Sequence, residues 1–171
     1  EFIYFAHILD GIVKAGTWRG SYLDNGIIKF NKYFDQIRIE RINTAYVFDQ
    51  DSPLSKSNYA NISNSLIDSI DIKKTSENND KFLIDITSLL LSEKLSKVTS
   101  EPFKESSKES FKIGSISSNK SSIRYVLNYP ENTDFEVEFI FSNPSNKPLE
   151  NQDSRNNSIK LRYSFINYPS N

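Results

Sequence analysis

The chain has 171 residues, 21 of them basic and 22 acidic, for a net charge of −1. That length supports one domain with a real core, and the charge balance argues against a general nucleic-acid or anionic-membrane binder, which needs a basic excess. Cysteine is absent, which excludes disulfides, thiolate metal sites and cysteine nucleophiles, and no apolar run approaches the roughly 20 residues of a membrane-spanning helix.

Twelve Phe and nine Tyr in so polar a chain favour strands over helices. The expected class is mainly β: an antiparallel sheet or meander of about seven to eight strands with two short helices. Methionine is absent, and Glu1-Phe2-Ile3-Tyr4-Phe5 opens inside a strand-like run. Residues 1–171 are therefore expected to be a single β-rich domain from a longer chain. Residues 94–120, rich in Ser, Lys and Glu, are expected to be a polar, partly mobile insertion.

In chain order, Phe2 to Val13 is an apolar strand closed by Asp10-Gly11. Gly16-Thr17-Trp18-Arg19-Gly20 is a loop by its glycines, and Asp24-Asn25-Gly26 signals a turn. Ile27 to Phe34 and Ile37 to Phe48 pair as a hairpin, with Asp35-Gln36 at its tip. Asp49 to Pro53 stops that strand, and a helix follows Ser52 or Ser55, running to about Leu66. Leu66 to Lys74 and Lys81 to Ile86 are strands around the turn Glu77 to Asp80. Thr87 or Ser88 caps the second helix, Leu89 to Leu95.

The clearest pattern runs from Ser122 to Asn143. An extended run meets a Tyr129-Pro130 corner, then Phe135, Val137, Phe139 and Phe141 alternate with Glu136 and Glu138. Successive strand side chains face opposite sides, so four large apolar groups meet a core and two charges meet water. Ile159, Leu161, Tyr163 and Phe165 repeat the pattern, with Lys160 and Arg162 outward.

Candidate chemistry is sparse. His7 is the single histidine; zinc sites take three or four ligands, mostly His once Cys is absent, so His7 reads as a hydrogen-bonded strand residue. Glu136 and Glu138 have the look of a glycosidase pair, but outward charges on a half-buried strand are the default, here answered by Lys160 and Arg162 on a neighbouring strand. Asp49 and Asp51 lack a calcium-loop continuation and read as turn residues. Trp18, Arg19 and Tyr22 are the candidate ligand contacts: either a stacking platform or a loop folded over the sheet. No catalytic, cofactor-binding or metal-binding residue is assigned.

Taken together, the glycine loop Gly16 to Gly20, Tyr46-Val47-Phe48, Asp51-Ser52-Pro53, Ile70-Asp71-Ile72, Leu83 to Thr87, Asn128 to Val137 and the terminal strand Ser158 to Pro169 resemble the non-catalytic region ahead of the peptidase domain in bacterial zinc-dependent metalloproteases of the met-zincin type. The resemblance implies a β-rich scaffold, inactive alone, packing on its own downstream peptidase domain and meeting peptide substrate only through the full-length protein. It also implies a periplasmic or secreted location and zinc held by a His-Glu-x-x-His helix elsewhere; that motif does not occur here. The alternative is a free-standing glycan- or protein-binding β module using Trp18 and Tyr22.

Overall fold

The computed structural model describes residues 1–45, 63–98, 113–144 and 155–169. Nine strands stand among them: β1 (Phe2–Asp10), β2 (Tyr22–Tyr33), β3 (Gln36–Arg41), β4 (Ser65–Thr75), β5 (Phe82–Ile84), β6 (Ser115–Ile116), β7 (Ser122–Asn128), β8 (Asn132–Ser142) and β9 (Asn156–Asn167). The strand pairs with a defined register are antiparallel. One short α-helix, α1 (Thr87–Leu90), accompanies them among the described residues. The helix expected after Pro53 and the strand continuation Tyr46-Val47-Phe48 lie outside the described residues, except that Ser65 and Leu66 are strand.

By contact the chain divides into two compact units. The first holds residues 1–3, 26–86 and 167–171. In it β3 lies between β2 and β4, and β5 pairs β4. Ile28, Ile37, Ile39 and Ile70 are its buried apolar residues among those described, with Ile37 directly opposite Ile70. The hairpin tip is one residue earlier than expected: Tyr33 pairs Gln36, so Phe34 and Asp35 form the turn. This register sends Ile37 and Ile39 inward, which a one-residue slip would reverse. Phe34 accepts a left-handed backbone (φ 55) to close it. The Asp24-Asn25-Gly26 turn signal is overridden, because all three residues run inside β2.

The second unit holds residues 4–25 and 87–166. β8 is its central strand. It pairs β9 along its whole length, from Asn132 opposite Ile166 to Ser142 opposite Asn156. On its other edge it carries β7 and then β6, while β9 neighbours β1. Alternation decides the faces as expected. Val137, Phe139, Phe141, Ile159, Leu161, Tyr163 and Phe165 are buried with Tyr4, Ala6 and Ile8 of β1. Phe135 is half-buried and meets Phe165 edge-on at 5.5 Å.

The helix α1 ends at Leu90, short of the expected Leu95. Ser92 Oγ donates to the Leu89 carbonyl at 3.2 Å, and such a local bond competes with helix continuation. Leu89 and Leu90 are nevertheless fully buried. Leu95, Ser96 and Val98, at the start of the polar stretch, are buried as well. Ile113 is buried at its far end, and residues 99–112 lie outside the described residues.

Candidate functional site

The outward face of β8 and β9 in the second unit bears charge where the inward face is apolar. Glu136 sits opposite Arg162, and Glu138 opposite Lys160. Arg162 Nη2 approaches Glu136 Oε2 at 3.5 Å. Lys160 instead turns to Asp10 of β1, with Nζ 3.4 Å from Oδ2. Glu138 is taken by Arg124 of β7 at 3.0 Å and accepts from Ser158 Oγ at 2.7 Å. The reading of Glu136 and Glu138 as an outward, ion-paired strand face agrees with the geometry, with the two side chains 20% and 18% exposed. The Lys160–Asp10 pair is the exposed one, and such a pair contributes about 0–1 kcal/mol.

The loop after β1 is built tightly. Thr17, fully buried, closes a ring with Ile12: its Oγ1 accepts from the Ile12 N–H at 2.7 Å and lies 3.1 Å from the Ile12 carbonyl, to which it donates. Gly11 is required here, since a Cβ would stand 2.6 Å from the Thr17 carbonyl oxygen. Gly16, at φ 74, turns the chain through the left-handed region. The next residues then clip back onto β1. The Gly20 N–H donates to the Ile8 carbonyl at 2.7 Å, and the Ile8 N–H to the Ser21 carbonyl at 2.9 Å. A buried threonine thus fixes the loop that presents Trp18 and Arg19.

Between that loop and the charged face lies an open cleft of about 550 Å³, lined by His7, Ile8, Leu9, Asp10, Arg19, Gly20, Glu136 and Lys160. Burial lowers the His7 pKa below its usual 6.5; nearby Arg162 adds to the effect and Asp134 opposes it. His7 is therefore neutral at pH 7, with one ring nitrogen donating and one accepting. Arg19 has no carboxylate partner among the described residues.

Of the three expected contact residues, Arg19 lines the cleft. Tyr22 is 75% exposed and leans on His7, ring centroids 6.4 Å apart. Trp18 is 55% exposed and is not among the residues lining the cleft. Sequence reasoning missed Asp10, Glu136 and Lys160 as cleft residues. Alternation marked Glu136 and Lys160 as outward and Asp10 read as the close of a strand, but only pairing across strands could bring Glu136 and Lys160 beside Arg19. Among the described residues no group of three His, Asp or Glu side chains is placed to hold a metal ion, and no helix is long and apolar enough to cross a membrane.

No curated protein and no solved structure matches the chain. A family model described as a domain of unknown function, DUF5117, matches residues 20–171.

Proposed function

The chain belongs to the DUF5117 family of domains of unknown function, and from that premise we propose that it is a non-catalytic β-rich scaffold. It packs on a downstream zinc peptidase domain of the same polypeptide, in a periplasmic or secreted protein. The resemblance set out from its motifs names the partner. The observation that carries the reading is the surface of β7. Tyr125, Val126 and Leu127 are 57%, 56% and 41% exposed, and Tyr129 just beyond is 50% exposed. Its one charge, Arg124, is already paired with Glu138. Contiguous apolar residues on an edge strand are a liability unless something covers them, and aromatic residues of this kind dominate domain contacts. The carboxylates of the outer face, by contrast, are engaged with neighbouring cations.

Two experiments test the reading. The reading frame past Asn171 is expected to continue into a His-Glu-x-x-His helix; a stop codon shortly after Asn171 contradicts it and favours the free-standing module. The purified chain supplied with zinc is expected to hydrolyse no peptide, and zinc-dependent turnover would overturn the non-catalytic assignment.

A further inference from the structure

We infer that the cleft beneath Arg19 is a binding site for a neutral, polyhydroxylated ligand, a glycan segment, with Tyr22 as its stacking surface. The inference stands apart from the scaffold reading and holds whether or not a peptidase domain follows.

Charge comes first. The cleft is lined by two cations, Arg19 and Lys160, and two carboxylates, Asp10 and Glu136, so it offers no net field to an anion or a cation. Asp10 and Lys160 already face each other at 3.4 Å, and Glu136 faces Arg162 at 3.5 Å. A cation would have to displace Lys160 or Arg162 from its carboxylate, and an anion drawn to Arg19 would share the cleft with the Asp10 and Glu136 carboxylates. A sugar meets neither obstacle. Each pair sets an acceptor beside a donor, and neighbouring sugar hydroxyls can donate to the first while accepting from the second. His7, neutral at pH 7, adds another donor and acceptor in the same wall.

Shape and apolar surface come next. Sugars also present C–H faces that pack on aromatic rings. Tyr22 leaves three-quarters of its surface in water while leaning on His7, which lines the cleft. Arg19, which has no carboxylate partner among the described residues, is free to swing a planar fork of donors over a ligand. The loop that carries it is held by the Thr17–Ile12 ring and the Gly20–Ile8 clip, which limits the ordering cost of binding. The cleft is open to solvent, which suits a chain lying across it rather than an enclosed small molecule.

The test is titration of the 171-residue chain with neutral hexasaccharides, namely cello-, xylo-, manno- and maltohexaose, and separately with the polyanion hexagalacturonate. Chemical-shift changes are read at His7, Arg19 and Tyr22. At least one neutral oligosaccharide is expected to shift these residues, with an affinity that salt at about 0.5 M leaves unchanged. Tyr22→Ala is expected to weaken binding about tenfold, the size of one lost aromatic contact, and Arg19→Ala to weaken it as well. Both side chains are exposed, and a matching unfolding midpoint shows that each variant is folded. Binding of hexagalacturonate alone, lost in salt, would show an anion site and overturn the neutral class. No shift with any neutral oligosaccharide, or binding that Tyr22→Ala leaves intact, would overturn the site.

Discussion

Strands β7 and β8 are two arms of one hairpin with opposite fates. β8 lies between β9 and β7, and its Val137 and Phe139 are fully buried. β7 pairs only β8 among the described strands, and Tyr125, Val126 and Leu127 stay in water on both its faces. Both arms are apolar and extended in sequence. The difference is position, which shows that apolar content specifies a strand while neighbours decide whether it is core. That contrast can be tested residue by residue.

The largest effect is expected at Phe139, which has no exposed surface. Phe139→Ala should cost about 3–5 kcal/mol, the usual range for emptying such a site, read as a lower urea midpoint. A cost below about 1 kcal/mol would mean that β8 is not core. Next is Gly114, at φ +92, where a Cβ would collide with the Ser142 carbonyl oxygen at the end of β8. Gly114→Ala combines a left-handed backbone with a backbone clash and should cost at least about 2 kcal/mol by the same measurement.

Tyr163 sharpens the contrast from inside. Its hydroxyl is buried with no hydrogen-bond partner among the described residues. Burial, chiefly, and then Tyr4, Glu93 and Asp24, push its pKa above the usual 10.0. The folded chain therefore holds this proton more tightly than the unfolded chain. Stability is full below pH about 10 and falls as pH rises beyond it. Tyr163→Phe should change neutral-pH stability by less than about 1 kcal/mol, since no bond is lost, and should flatten the alkaline fall. An unchanged alkaline fall would show that Tyr163 does not cause it. The smallest effect is expected on β7: Val126→Ser should stay within about 0.5 kcal/mol of the parent. A loss like that at Phe139 would show that β7 is core after all.

The sequence made the buried side of this contrast legible and left the exposed side obscure. Strict alternation in Phe135 to Phe141 and Ile159 to Phe165 identified both strands and their inward faces, because period two has one reading on a sheet. β7 carried no such alternation, and nothing local tells an edge from a centre. Asp24-Asn25-Gly26 misled because turn propensity yields to pairing: Asp24 accepts from the buried Tyr4 hydroxyl at 2.6 Å, which ties the segment to β1. Val98 was hidden in a polar stretch whose average composition conceals single anchors, whereas Leu95 was read as the end of a helix that stops at Leu90. The cleft was legible only at Arg19, with Tyr22 beside it through His7. Glu136 and Lys160 come from strands distant in sequence, and Asp10 and Lys160 meet only through the tertiary fold.

The most direct measurement of the central claim is hydroxyl-radical footprinting of Tyr125, Leu127 and Tyr129 in the 171-residue chain and in the product of the complete reading frame. The account predicts strong labelling of all three in the chain alone and protection in the longer product, with Phe139 protected in both. Equal labelling of β7 in the two proteins would contradict it.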